Sequence, residues 1–152
     1  MLGRHRPGGF VRAVGGGLGW GIGAAVGHRL GAPERPAVAV LGDGCAMFGL
    51  QGLWSAAHHR VPVLFVAMAN GEYHTLKDTF DARGGSPSVA CPGLDLGELD
   101  WRPAARFFGI PAVRVDDAEE LAQTVAAVRG LDGPLLAEVA SQGHAGAPRV
   151  RP

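Results

Sequence analysis

The stretch Ala37-Val-Ala-Val-Leu-Gly-Asp-Gly44 joins an unbroken apolar run to an aspartate between two glycines. Residues 37–41 are short and rich in β-branched side chains, which favours a strand buried on both faces. A second run of this kind, residues 61–68, ends just before Asn70-Gly71. Residues 48–59 between them carry apolar side chains at helical spacing. The sequence therefore predicts strand, helix and strand, with the two strands parallel and joined by a right-handed crossover.

Helices and strands continue to alternate through the rest of the chain. The further predicted elements are a small-residue helix at 18–30, a helix at 101–108, a strand at 112–115, a helix at 118–129 and a strand at 135–139. This alternation predicts an α/β fold, a three-layer doubly wound parallel sheet with ligands at the carboxyl ends of its strands. We expect Trp101, Phe107 and Phe108 to pack on the sheet, and Leu121, Val125 and Val128 to form a core stripe. Residues 84–97 are predicted to be a long loop and residues 141–152 a frayed tail.

Composition limits the classes of function. A chain of 152 residues is one domain's worth of protein, so residues 1–152 are predicted to form a single domain with a core at about 9–142. Fourteen basic and fourteen acidic residues cancel, so no net charge recruits nucleic acid or an anionic membrane. The longest stretch without a charged or histidine residue, 13–27, is too short and glycine-rich to span a bilayer.

Two cysteines, Cys45 and Cys91, form neither a disulfide framework nor a zinc-binding pattern. Free thiols are typical of a reducing compartment. The N-terminal residues have charges but no apolar segment behind them, so no signal peptide is expected. These features predict a cytoplasmic protein.

Polar residues follow each of the first two predicted strands. Gly42-Asp43-Gly44 places a carboxylate at a strand end and a glycine at a helix N-terminus, where backbone N–H groups attract anions such as phosphates. The alternative for this tripeptide is a solvated turn, and the alternative for Asn70-Gly71 is a hairpin turn. The residues after Gly71 lack the alternation that a hairpin needs. Asp43, Asn70 and a carbonyl after Asn70 are therefore predicted to be the protein oxygen ligands of Mg²⁺.

Gly42-Asp43-Gly44 with Asn70 after this spacer resembles the thiamine diphosphate-binding motif. Residues 9–142 are similar to the C-terminal cofactor-binding domain of the decarboxylase and acetolactate synthase family, with benzoylformate decarboxylase as the most similar member. Four further segments match in the same order: Gly16-Gly-Leu-Gly, Leu53-Trp-Ser-Ala-Ala57, Asn70-Gly-Glu-Tyr73 and Pro92-Gly-Leu-Asp95. The chain departs from the usual pattern at Cys45, Ala69 and Glu72.

The resemblance implies a role for each matching position. Mg²⁺ would be bound by Asp43, by the side-chain oxygen of Asn70 and by the backbone carbonyl of Glu72. Leu18 would support the thiazolium ring, the Gly16 carbonyl would accept from the aminopyrimidine, and Leu76 would line the reaction side. The residues implied around the diphosphate are Gly42, Gly44, Cys45, Tyr73, His74, Thr75 and Leu76.

The resemblance also implies a thiamine diphosphate- and Mg²⁺-dependent lyase that decarboxylates a 2-oxo acid, with carboligation as the alternative reaction. In this family the activating glutamate belongs to a separate pyrimidine-binding domain, usually on a neighbouring subunit. No residue of this chain matches that motif, and the glutamates outside the cofactor loop (34, 98, 119, 120 and 138) are predicted to be solvated. The chain is therefore expected to contain no catalytic residue, to be inactive alone, and to assemble with such a partner in a homo- or hetero-oligomer.

Two other functions remain open at this point. Gly19-Trp-Gly-Ile-Gly-Ala24 fits a loose dinucleotide-binding pattern, with Asp43 near the position of the ribose-binding acid. That hypothesis leaves Asn70 unexplained, and residues 10–14 are a poor buried strand. A domain that only assembles with a partner, without catalysis, is the second alternative. Titration with thiamine diphosphate plus Mg²⁺, and separately with NAD, distinguishes the two cofactors.

Overall fold

A computed structural model of the chain describes residues 9–84 and 93–141. The elements are α1 (Trp20–Gly31), β1 (Ala37–Gly42), α2 (Asp43–Met47), α3 (Gln51–His58), β2 (Val63–Ala69), α4 (His74–Ala82), α5 (Trp101–Phe107), β3 (Ala112–Val115), α6 (Ala118–Ala126) with a 3-10 turn (Ala127–Gly130), and β4 (Leu135–Ala140). Cys91, Pro92, most of the predicted loop and most of the predicted tail lie outside the described residues. None of the helices in these ranges combines the length and the apolar content needed to cross a bilayer.

The four strands form one parallel sheet in the order β1-β2-β4-β3. In the register of β1 and β2, Gly42 lies beside Met68, so the carboxyl ends of these strands are almost level. Helices α1, α3 and α5 pack on one face and α6 on the other. The predicted three-layer doubly wound α/β fold is confirmed.

The core lies mainly on one face of the sheet. Ile22, Leu53 and Trp101 from three helices pack there with Phe65 and Leu136 of the sheet, all fully or almost fully buried. Burial of large apolar side chains of this kind stabilises a fold by about 1.5–3 kcal/mol each. This layer therefore holds β1 and β2, and the polar residues at their ends, in a fixed register.

The opposite face is covered less completely. Leu64, Val66, Val115 and Ala137 form a smaller buried cluster there. Leu121 and Val128 pack against it, as predicted for the stripe, but Val125 is 39% exposed and does not join the cluster.

The prediction that β1 is buried on both faces is wrong. Val40 is 68% exposed and Val38 is also exposed. They lie on the face that carries α6, but β1 is two strands away from β4 and outside the reach of that helix.

The helix predictions need two further corrections. The helix predicted at 48–59 is present as α3 with shorter bounds, but the short α2, which begins at Asp43, was not predicted as a separate helix. Helix α4 was not predicted; none of its residues is buried, and its apolar pair, Leu76 and Phe80, is exposed. Phe107 is 83% exposed rather than packed, whereas Trp101 and Phe108 contact the core.

Candidate functional site

Asp43 lies where β1 ends and α2 begins, and its side chain is buried. One carboxylate oxygen accepts the Gly44 N–H at 2.7 Å. The other accepts the N–H groups of Asn70 at 3.0 Å and Gly71 at 2.7 Å. Backbone donors of this kind compensate the desolvation of a buried carboxylate. The structure thus brings Asp43 and Asn70 together, and it ties the ends of β1 and β2 to one side chain.

The turn after β2 is held by its own side chain and by a required glycine. Asn70 Oδ1 accepts the Glu72 N–H at 3.1 Å, which is an Asx turn. Gly71 has a φ of 74°, and an added Cβ would lie 2.7 Å from the Gly97 carbonyl oxygen. A larger residue is therefore excluded there. The chain continues into α4, so the hairpin alternative for Asn70-Gly71 is wrong.

A second segment of the matching pattern lies against this turn. Glu72 and Asp95 form an isolated antiparallel bridge. The Tyr73 N–H donates to the Leu94 carbonyl at 2.9 Å, and the Leu96 N–H donates to the Gly71 carbonyl at 2.7 Å. Residues 70–73 and 94–96 are distant in sequence but form one loop layer beside Asp43.

The space at the start of α2 fits only glycine. A Cβ on Gly44 would lie 2.5 Å from Cε1 of the Tyr73 ring. The neighbouring Cys45 Sγ accepts the Gly19 N–H at 3.4 Å, which brings residues 16–19 to this side of the site. Leu18 is 52% exposed and is available to a ligand there.

Part of the predicted amide set already has partners. The Tyr73 N–H is bonded to Leu94, and the Leu76 N–H donates to the Tyr73 carbonyl at 3.0 Å. A diphosphate would have to displace these bonds to reach either group. His74 and Thr75 lie in the first turn of α4, where N–H groups have no partner within the helix.

Glu72 carries a buried carboxylate, and its neighbour Lys77 was not singled out from the sequence. Lys77 Nζ pairs with Glu72 Oε2 and with Asp95 Oδ1, and His74 Nδ1 lies 2.9 Å from Glu72 Oε1. The hydrogen bond with Glu72 raises the pKa of His74. Burial alone would lower the pKa of Lys77, but its hydrogen bonds with Asp95 and Glu72 outweigh burial and raise it. The sequence contained a signal for this pair, since Lys77 follows Glu72 by five residues and lies about one turn after the start of α4.

Glu138 on β4 was expected to be solvated, and that prediction is wrong. It is buried and accepts the Trp101 N–H at 2.5 Å, at the start of α5. The Arg114 guanidinium lies 3.9 Å away. Its carboxylate therefore anchors a helix start to the sheet.

The donor set at the strand ends fits a hard divalent cation. Asp43 and Asn70, at the ends of adjacent strands, carry a carboxylate and an amide oxygen, and Mg²⁺ prefers such oxygens. Among residues 9–84 and 93–141, no group of three or more His, Cys, Asp or Glu side chains is placed to hold a metal. A cation at this site would therefore depend on the Asp43 carboxylate, the Asn70 amide oxygen, a backbone carbonyl and oxygens of a bound diphosphate.

The dinucleotide pattern lacks its structural context. The described residues before α1, 9–19, contain no strand that leads into the glycines of residues 19–24. A dinucleotide fingerprint requires a strand immediately before its glycine-rich turn.

The chain is similar to known proteins in both sequence and fold. A family model described as "Thiamine pyrophosphate enzyme, C-terminal TPP binding domain" matches residues 1–139. The chain is 39% identical over 138 residues to benzoylformate decarboxylase of Pseudomonas aeruginosa, covering 91% of this chain and 26% of that protein. It is 29% identical over 140 residues to the acetolactate synthase large subunit of Parasynechococcus marenigrum, covering 90% and 22%.

A solved structure has the same fold. The thiamine diphosphate-dependent 4-hydroxybenzoylformate decarboxylase of Rhodococcus jostii RHA1 matches with a TM-score of 0.76 at 32% identity, over 84% of this chain and 24% of that chain. The chain spans about a quarter of the length of the curated relatives it matches.

Proposed function

Because this chain belongs to the thiamine pyrophosphate enzyme family, as its C-terminal cofactor-binding domain, we propose that it supplies the magnesium- and diphosphate-binding half of the active centre of a 2-oxo acid decarboxylase. The observation that supports this is the junction of Asp43 and Asn70. There the buried Asp43 carboxylate accepts the Asn70 backbone N–H at 3.0 Å, at the almost level ends of two adjacent parallel strands. Ligands of α/β sheets bind at this edge.

In this proposal Mg²⁺ is held by Asp43, by Asn70 Oδ1 and by the Glu72 carbonyl. The amides near the diphosphate are those of Cys45, His74 and Thr75, while Gly42, Gly44, Tyr73 and Leu76, three of which already donate their N–H groups within the chain, shape the surrounding surface. Leu18 and the Gly16 carbonyl contact the ring portion. When bound, thiamine diphosphate supplies the electron sink needed for loss of carbon dioxide from a 2-oxo acid. This chain's residues bind and orient it.

The proposal includes a partner. The buried carboxylates outside the metal site have structural duties: Glu138 accepts the Trp101 N–H and Glu72 pairs with Lys77. Neither is placed to activate a pyrimidine ring. We therefore assign the activating glutamate to a pyrimidine-binding domain or subunit in a homo- or hetero-oligomer. A cytoplasmic location, in keeping with the free thiol of Cys45, is part of the same proposal.

Carboligation is the second candidate. The similarity to the acetolactate synthase large subunit of Parasynechococcus marenigrum favours it. Decarboxylation and carboligation would use the same metal and diphosphate contacts, so the two differ in the product formed with the complete partner. Cofactor binding followed by no reaction of any 2-oxo acid would instead favour an assembly role.

The test is a calorimetric titration of the chain with thiamine diphosphate, with and without Mg²⁺, and with NAD as the comparison ligand. Asp43→Asn keeps the side-chain volume and one of the two accepting oxygens but removes the charge, so we expect Mg²⁺-dependent affinity to fall at least about tenfold. Asp43→Ala is less informative because it would leave three backbone N–H groups without their acceptor.

The matched control is Asp132→Asn. Asp132 is a solvated carboxylate, 3.9 Å from Arg60. It lies just before β4, at the amino end of the strands and away from the proposed site. We expect this variant to bind like the wild type. Unchanged affinity of Asp43→Asn, with circular dichroism showing an intact fold, would refute the proposed site.

A further inference from the structure

The loop beside the proposed metal site contains an uncommon arrangement of charge. Glu72, whose carbonyl is a proposed Mg²⁺ ligand, also carries a carboxylate that is only 6% exposed. A bound diphosphate would add negative charge next to it. A buried carboxylate beside an anionic ligand opposes binding unless a cation neutralises it.

Lys77 is the cation in the right place. Its Nζ pairs with Glu72 Oε2 from the second turn of α4, and its side chain is 15% exposed. We propose that Lys77 is a positioning residue that neutralises the Glu72 carboxylate and so permits an anionic diphosphate to bind beside the metal. This inference rests on the proposed function of the site.

The second partner of Lys77 does not need it to the same degree. Asp95 Oδ1 lies 2.5 Å from Lys77 Nζ, but the Asp95 side chain is 69% exposed. Water would therefore solvate the Asp95 carboxylate if Lys77 were removed. Glu72 is shielded from water, so the loss of Lys77 affects mainly Glu72. His74 Nδ1 also contacts Glu72, from a more exposed position.

This role makes opposite predictions for the cation and for the anion. Without Lys77 the loop becomes more negative, which favours a divalent cation and disfavours a diphosphate. A purely mechanical role, in which Lys77 ties residues 72 and 95 together, predicts that both ligands bind more weakly. The two affinities therefore distinguish neutralisation from tethering.

The experiment uses the full chain and measures affinity by calorimetry for Mg²⁺ alone, and for thiamine diphosphate at saturating Mg²⁺. For Lys77→Met we expect about tenfold weaker thiamine diphosphate binding and Mg²⁺ affinity equal to or above that of the wild type. Lys77→Arg keeps the charge and is expected to stay within about twofold of the wild type. Glu72→Gln combined with Lys77→Met removes both charges and is expected to restore most of the lost affinity.

Each other result has a definite meaning. Wild-type affinity in Lys77→Met would overturn the inference, as would a loss for both ligands that Glu72→Gln does not repair. If the wild-type chain itself binds no thiamine diphosphate at millimolar concentration, the proposed function fails, and this inference fails with it. If the wild-type chain binds thiamine diphosphate and Lys77→Met binds it equally well, this inference fails while the proposed function stands.

Discussion

At the scale of single residues, three buried carboxylates are compensated in three different ways in the described part of the chain. Asp43 accepts backbone N–H groups from two strand ends. Glu72 pairs with a lysine, and Glu138 accepts the N–H of the first residue of α5. A buried charge without such partners would be strongly destabilising. The type of compensation differs in kind, since the hydrogen bonds of Asp43 come from neutral backbone donors, whereas Glu72 pairs with a charged side chain.

Gly44 gives a prediction at the same scale. In Gly44→Ala the new Cβ would meet the Tyr73 ring at 2.5 Å, so the ring must move away from the start of α2. We expect the free energy of unfolding to fall by about 1–3 kcal/mol in urea denaturation, as for other overpacked sites.

Gly27→Ala is the control for that variant. Gly27 lies within α1, and no atom is within 4 Å of an added Cβ. Alanine there should raise the free energy of unfolding by about 0.4–1 kcal/mol, since it restricts the unfolded chain. Equal stability of the two variants would contradict the close contact between Gly44 and Tyr73.

At the scale of elements, the helix starts are of two kinds. Helix α5 begins after Asp100, which accepts the Arg102 N–H, and α6 begins after Asp117, which accepts the Glu120 N–H. Such N-caps are local and can be predicted from the sequence. Helices α2 and α4 have no side-chain cap, and their starts are fixed by contacts with distant segments.

Asp100 gives a prediction on pH. Its hydrogen bonds with Arg102, from the guanidinium first and the backbone second, lower the pKa of the carboxyl below 3.8. Because the folded-state pKa is below the unfolded one, the stability from this charge is present above about pH 3.8 and is lost as pH falls through the lower, folded value.

The measurement compares urea midpoints of the wild type, Asp100→Asn and Asp100→Ala. Asparagine keeps the cap and loses only the ion pair, so we expect a cost of about 0.2–1 kcal/mol at neutral pH, shrinking below pH 3.8. Alanine also loses the cap and should cost about 1 kcal/mol more. A pH-independent difference between the wild type and Asp100→Asn would contradict this account.

At the scale of the whole molecule, the two faces of the sheet are unequally covered. Helices α1, α3 and α5 bury one face, whereas α6 covers only part of the other. Val40 on β1 and Val66 on β2 are register neighbours on that second face, yet one is 68% and the other 2% exposed. Coverage therefore ends between β2 and β1.

This boundary can be measured with Val→Thr at both positions. Val66→Thr places a hydroxyl among apolar side chains and should lower the free energy of unfolding by about 1–3 kcal/mol. Val40→Thr is exposed and should change it by no more than about 0.5 kcal/mol. A similar cost at both positions, in urea denaturation of the isolated chain, would show that the face over β1 is covered in solution.

The sequence was sufficient for the sheet and for the resemblance to the thiamine diphosphate family, which is confirmed. Residues 112–115 form the predicted strand, because a short segment with two β-branched residues between helical segments is a local signal. The sequence was insufficient wherever the surroundings of a residue come from segments that are distant along the chain. The exposure of Val40 depends on the reach of α6, the burial of Glu138 on the position of α5, and the pairing of Glu72 on Lys77. The ligand roles of Asp43, Asn70 and Glu72 stay predictions.

The carboxylate of Asp43 ties both strand ends together through hydrogen bonds within the chain itself. The entropy of ordering residues 70 and 71 is thus lost during folding rather than during ligand capture. Association should consequently be quick and limited by diffusion and desolvation, with little rearrangement of these two amides. The same arrangement makes the chain sensitive to mutation, since a substitution that removes the Asp43 carboxylate disturbs ligand binding and folding together.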